Sequence, residues 1–476
     1  MAHVEGVEPG VQAMRKVVWL GLAALGLALP TNADTLEEAL QQSYLNNPTL
    51  LAERTGAQIA DETLANARAQ GRTQLSLSGS AGYQWSDTNR FDNLGPLDFG
   101  GGGIDFTAIG GDQGGRETGA LQLEATRPLY TGGRIKSGVR QAEAGVASSR
   151  ALLNSVRQDT FLSTVTAYVD VLRDEKSVRI RQNNVAVLEE QTRAAADRFD
   201  VGVVTRTDVA AAEARLAGAR ALLAGANAQL EGSLATYEAL VGNRPEDLDP
   251  VPPLPALPQT LDDAVATALL GNPDLDAATE AVRAAEEAIK VARGALRPEI
   301  SFVGSAGFQR NLREDLQDES ASALIQGRIP LYEADTLRST VRSAQLRRTQ
   351  ALQQRDAIER QIRAGIAQAW FGFEAASRSI DASRAQVEAA EIAYEGGKEE
   401  LAVGVRTTLD VLDQEQDLFE ARLALVEAER DAYVAAHQLL RGMGALSLDR
   451  LGAVDRYDPE AYAAGKRRKW LLTDGD

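Results

Sequence analysis

VGVRTTLDVLD at 403–413 has a counterpart earlier in the same chain. FDVGVVTRTDV at 199–209 matches LAVGVRTTLDV at 401–411, an offset of 202 residues. Working outward, PLY at 128–130 matches PLY at 330–332 at that offset. Further toward the N-terminus GSAGYQ at 79–84 matches GSAGFQ at 304–309, and TLEEALQQSYLNNP at 35–48 matches TLDDAVATALLGNP at 260–273. Both of these lie 225 apart, so the first copy carries 23 more residues between about 85 and 127. Four matches in one order, with one change of length, describe a duplicated chain. The copies span 34–248 and 259–442, joined by the proline-rich linker 249–258, DPVPPLPALP, and followed by a tail at 443–476.

Each copy opens on a helical pattern, 35–70 and 260–296, with a break where Asn-Pro at 47–48 and 272–273 disfavours helical geometry. The pattern then changes to period two. Leu75, Leu77, Ala81 and Tyr83 alternate with Ser76, Ser78 and Ser80, and Leu121, Leu123 and Ala125 alternate with Gln122, Glu124 and Thr126. Ile300, Phe302 and Phe308, then Ala321, Ala323 and Ile325, repeat this in the second copy. These hairpins, about 73–128 and 298–330, hold strands long enough to cross a bilayer when tilted, with one apolar and one polar face. Their connecting loops differ: 86–117 is glycine-rich, and 310–320 is short and acidic. Very long helices with coiled-coil spacing follow, about 131–198 and 333–400. Tip turns at about 199–206 and 401–406, with Val201-Gly202 and Val403-Gly404 at their centres, lead into return helices at about 207–242 and 407–442. Four strands are too few to close a membrane barrel, so several chains must share one.

Composition narrows the function. The chain has 476 residues and a formal net charge of -18, which argues against nucleic acid as a partner because phosphate binding needs a basic face. It has no cysteine and two histidines, so thiol chemistry, zinc–thiolate sites and Ser-His-Asp catalysis have nothing to build on. His437 reads as a structural residue in an apolar helix. No cofactor is expected, and no phosphate-binding G-x-x-x-x-G-K-[ST] loop is present to supply energy. Residues 1–33 read as a secretory signal peptide, with Arg15-Lys16 before the apolar run 17–29 and Met14 as the more natural start.

The Asn-Pro helix starts, the GSAGYQ and GSAGFQ strands, PLYTGGR at 128–134 and above all VGVRTTLDVLD with its counterpart resemble the TolC family of outer-membrane efflux and secretion proteins. The resemblance covers about 35–442. It implies a mixed fold of transmembrane strands and long antiparallel coiled-coil helices. It implies that three chains share a twelve-stranded barrel in the outer membrane of a Gram-negative bacterium and a helical tunnel extending into the periplasm. It implies a passive duct, not an enzyme, docked by a periplasmic adaptor (membrane fusion) protein to an inner-membrane ABC or RND pump and exporting proteins or small molecules. One branch of the family is lipidated on an N-terminal cysteine, and this chain resembles the other branch.

Asp410 and Asp413 lie three apart and so share one helix face. In the family, carboxylates at these positions line the periplasmic entrance as stacked rings, which favour cations. Helix capping is the competing role, since Asp is favoured in a first turn. The internal counterpart of Asp410 is Asp208, whereas those of Asp413 and Arg406 are Ala211 and Val204. Arg406 resembles the family's latch arginine, with Thr207 and Asp208 of the neighbouring tip as implied partners. Leu401 replaces a frequent tyrosine of that latch, and Arg206 is a candidate substitute. Two other classes compete with this reading: a periplasmic coiled-coil adaptor or scaffold, which would not use the strands, and a secreted hydrolase, whose carboxylates would sit in a pocket rather than on a heptad helix.

Overall fold

The computed structural model describes residues 35–87, 113–254, 256–311, 317–447, 457–458 and 461–462. The signal peptide, the centres of both hairpin loops (88–112 and 312–316) and most of the tail, with its basic run 466–469, lie outside the described residues.

The element order is written twice. The first copy runs α1 (Leu36–Asn46), α2 (Pro48–Ala69), β1 (Gln74–Asp87), β2 (Gln113–Tyr130), α3 (Arg134–Asp200) and α4 (Arg206–Val241). The second runs α5 (Leu261–Gly271), α6 (Pro273–Gly294), β3 (Glu299–Asn311), β4 (Gln317–Arg328), α7 (Thr336–Ala402) and α8 (Thr408–Gly442).

The Asn-Pro pairs split each opening helix in two. Asn47 (φ -62, ψ 120) and Asn272 (φ -76, ψ 119) are extended, as residues before proline prefer. Thr35 and Thr260 cap the helices that end there, each accepting a bond from the backbone N–H three residues on. The two asparagine side chains make equivalent bonds to positions 202 apart on the return helices. Asn47 Nδ2 donates to the Leu240 carbonyl at 3.3 Å, and Asn272 Nδ2 to the Gly442 carbonyl at 2.8 Å. Both return helices end in left-handed glycines, Gly242 (φ 102) and Gly444 (φ 72), where an L side chain would be strained.

The strands form one antiparallel sheet in the order β1-β2-β3-β4. Its register sets Leu77, Leu123, Ala306 and Ala321 side by side on one face, and Ser76, Glu124, Ser305 and Ser322 on the other. Among the described residues, the outer edges β1 and β4 have no partner strand. The apolar face is open as well: Leu75 and Leu77 are 68% and 71% exposed. All four strands run into their expected loops, β2 furthest, where Gly114 and Gly115 carry no side chain with which to mark an alternation.

The long helices α3 and α7 have 67 residues each, about 100 Å at the helical rise. They begin three residues later than the pattern suggested, because the segments after each PLY form a turn first. Gly132 (φ 63) and Gly133 (φ 86) make that turn in the first copy, and Ala334 (φ 47) and Asp335 (φ 64) in the second.

Two compact units emerge from the packing, and each mixes both copies. In the first (1–47, 163–254 and 379–434), Leu40, Val165, Tyr168, Val171, Tyr237 and Val241 are buried. Tyr168 and Tyr237 meet with ring centroids 6.4 Å apart, and the Tyr168 hydroxyl donates to the Asp249 carbonyl at 2.7 Å. In the second (48–162, 255–378 and 435–476), Leu50, Phe161, Ile366 and Leu439 are buried together with His437. Arg441 there reaches Asp274 at 3.1 Å, pairs with Asp159, and donates to Ser155 at 2.9 Å, joining α8 to α6 and α3.

Candidate functional site

The tip turns lie in the first unit and are built alike. Gly202 N–H donates to the Phe199 carbonyl at 2.9 Å and Val203 N–H to the Arg198 carbonyl at 2.9 Å. Gly404 N–H donates to Leu401 at 3.0 Å and Val405 N–H to Glu400 at 2.9 Å. Gly202 and Gly404 both have φ 78, the left-handed geometry that glycine adopts without strain. Val201, Val203, Val403 and Val405 stand out from these turns, each more than two-thirds exposed.

A threonine then starts each return helix. Thr205 N–H and Oγ1 donate to Asp208 Oδ2 at 2.8 and 2.9 Å, and Asp208 N–H donates back to Thr205 Oγ1 at 3.3 Å. Thr407 and Asp410 repeat this at 3.0, 2.7 and 3.2 Å. Thr205 and Thr407 are therefore the N-caps, and Asp208 and Asp410 are the carboxylates three residues on that complete each capping box. These bonds hold both carboxyls below the ordinary aspartate value of 3.8. At Asp208 the backbone bond from Thr205 is the larger cause; at Asp410 it is the side-chain bond from Thr407.

The remaining expected residues have separate surroundings. Asp413, one turn further along α8, pairs with Arg215 of α4 at 2.6 Å, its side chain still 62% exposed. Arg406 pairs with Glu400 of its own tip at 2.5 Å. Thr207 and Arg206 lie exposed at the start of α4. Asp208 receives both Thr205 donors on one oxygen, Oδ2.

Sequence reasoning missed Arg215, Gln191 and Glu415. Glu415, on α8, accepts from Gln191 of α3, and burial is the main reason its carboxyl is pushed up from the ordinary glutamate range. Beside Gln191 lies a cavity of about 480 Å³ whose walls include Tyr394, Lys398, Leu401 and Leu412. Leu401 thus lines this cavity with apolar surface. One signal for Arg215 was present: its internal counterpart is Asp417, a reversal of charge at matched positions. Among the described residues no group of side chains could hold a metal ion, and no helix is long and apolar enough to cross a membrane.

A duplicated chain with four amphipathic strands, two open sheet edges and paired long helices is one share of a multi-chain membrane channel. Comparison with known proteins gives its family. The outer membrane efflux protein model matches residues 39–243 and 264–445, and the chain belongs to that family. It is 34% identical over 466 residues to the outer membrane efflux protein BepC of Brucella suis biovar 1, covering 97% of both chains. It is 22% identical over 487 residues to the outer membrane protein TolC of Escherichia coli K12, covering 96% of this chain and 93% of that one. Among solved structures it resembles the CmeC outer membrane channel of Campylobacter jejuni, with a TM-score of 0.75 at 16% identity over 86% of this chain and 85% of that one. The TolC-type resemblance holds, and the protein is an outer-membrane channel serving efflux and type I secretion.

Proposed function

We propose that three copies of this chain close a twelve-stranded barrel and act as a passive export duct, gated at the tip turns. One observation carries this reading: β1 and β4 are unpaired edges of a sheet whose apolar face is bare. Open edges cannot persist in lipid, because each unpaired N–H and C=O costs several kcal/mol there. Pairing β1 of one chain with β4 of the next removes every edge.

At the tips, threefold symmetry turns Asp410 and Asp413 into two carboxylate rings at the periplasmic entrance, a filter that favours cations. Arg406 latches the closed state by reaching Thr207 and Asp208 of the neighbouring chain. The Oδ1 atom of Asp208, which takes neither bond from Thr205, suits that role. Arg206 is a second cation for the latch. Asp413 contributes a weaker ring than Asp410, because Arg215 offsets its charge. Energy comes from an ABC or RND pump in the inner membrane, reached through a periplasmic adaptor, and the substrates are secreted proteins or toxic small molecules.

The test is the mass and conductance of the protein extracted from outer membranes in mild detergent. The proposal expects a particle of three chains that forms conducting channels in planar bilayers. A monomer with a closed fold of its own, or recovery from the soluble periplasm, overturns it.

A further inference from the structure

The polar face of the sheet is lined by short, neutral side chains, among them Ser76, Ser78, Gln122, Ser305 and Ser322. Bonds of this face run between them: Ser305 and Ser322 hydroxyls meet at 2.8 Å, and Ser78 donates to the Gln122 carbonyl at 3.4 Å. Glu124 stands in the middle of this lining. It faces Ser76 across β1 and Ser305 across β3, well inside both ends of β2. Its carboxylate is exposed and accepts from the Thr126 hydroxyl at 3.3 Å, with no ion pair among the described residues. Other described charges on this face lie toward the strand ends: Glu299 and Arg328, paired with Arg134 at 2.9 Å and Glu333 at 3.5 Å, and Asp318, at the start of β4, level with Ser80 of β1.

The duplication supplies an internal control. Ser76 pairs with Glu124 in the first copy, and Ser301 pairs with Gln326 in the second. The two pairs are related by the repeat offsets, so Gln326 occupies the place of Glu124. Glutamate and glutamine have nearly the same shape and differ in charge. The strand geometry is therefore met by the neutral residue, and the charge at 124 answers no packing demand.

From this we infer that Glu124 is a specificity-determining residue inside the barrel, a ring of carboxylates that draws small cations through the lumen and holds back anions. The inference rests on the trimeric reading above, in which the polar face lines a water-filled lumen. Fixed charges in such a pore act over about a Debye length, roughly 10 Å at 0.1 M salt, so the ring acts most strongly in dilute solution.

The experiment compares reversal potentials of purified channels in planar bilayers under a potassium chloride gradient. All proteins carry Asp410→Asn and Asp413→Asn, so that entrance charge does not mask the barrel. Adding Glu124→Gln is expected to lower the potassium-to-chloride permeability ratio about two-fold, and Gln326→Glu to raise it by a similar factor, both effects fading at high salt. A ratio unchanged by both substitutions, in channels of ordinary conductance, overturns the role of Glu124 and leaves the duct intact. A parent protein that forms no channel overturns both.

Discussion

The two copies share an order of elements and differ in what surrounds them. Along α3 the chain buries Val165, Tyr168, Val171, Val178 and Leu188, among others. Along α7, of equal length, Ile366 is the buried large apolar residue, while Leu346, Phe371 and Ile392 are 70%, 58% and 69% exposed. A helix of about 100 Å cannot stand with its apolar positions in water, since burial of such side chains is what holds long helices in place. The first copy finds cover within its own chain, and in the proposed trimer a neighbouring copy would cover the second. Duplication thus supplied two similar ladders, and divergence assigned one to folding and one to assembly. Single positions follow suit: Gly132 against Ala334, Val204 against Arg406, Ala211 against Asp413.

The largest effect is expected at Gly132. A Cβ there would lie 2.5 Å from the Gly294 carbonyl oxygen and 2.6 Å from Arg297 Cβ, with φ at 63. Neither neighbour is the free end of a flexible side chain, so Gly132→Ala should destabilise the fold by about 3 kcal/mol or more. Thermal unfolding of the purified protein measures this. A melting temperature equal to the wild type would mean that the first copy tolerates what the second already has, and that the two turns do not differ.

Next comes Arg406, whose counterpart in the first copy is the uncharged Val204. Arg406→Ala removes charge-assisted bonds of the proposed latch and should raise the ratio of open to closed channels about ten-fold, the size expected for losing one such interaction. Val204→Arg, which makes the first tip resemble the second, should not reproduce the closed state of a wild-type channel in an Arg406→Ala background. Conductance of single trimers reads both. An Arg406→Ala channel no more open than its parent would remove the latch.

A smaller contrast separates the entrance carboxylates. Asp410→Asn should reduce cation preference more than Asp413→Asn, because Asp413 is already offset by Arg215 while Asp410 is fixed by neutral donors. The pH dependence has a definite sign. The Asp410 carboxyl is held below 3.8, so its charge is complete at higher pH and is lost only as the pH falls through that lowered value. Cation preference that faded well above pH 4 would point to another group, with the half-buried Glu415, pushed upward by burial, the first to examine.

Much of this molecule was legible in one dimension because its signals are local. The Asn-Pro breaks act through the residue just before proline, and the strands declare themselves by alternation between neighbours two apart. The caps at Thr205 and Thr407 also span three residues, so capping was visible as a role for Asp208 and Asp410. What escaped was long-range or silent. Arg215 meets Asp413 from 198 positions away, and Gln191 meets Glu415 from 224, distances over which no spacing rule operates. The outer half of β2 was missed because glycine has no face to show.

The smallest effect runs opposite to the first and closes the comparison of the two turns. Ala334 (φ 47) and Asp335 (φ 64) hold left-handed geometry that their glycine counterparts adopt freely. An L residue there costs about 1–2 kcal/mol, while glycine adds entropy to the unfolded chain and returns part of the gain. Asp335 also pairs with Arg342 at 2.7 Å, which its replacement would forfeit. Ala334 has no such tie, and its surroundings are open. Ala334→Gly should therefore stabilise the protein slightly, by less than about 1 kcal/mol, seen as a rise of a degree or two in melting temperature. Unlike Gly132, then, this position should gain from becoming its counterpart. A fall in melting temperature would show that the second turn is held by its surroundings in a form that glycine loosens, and that the copies diverged here for rigidity.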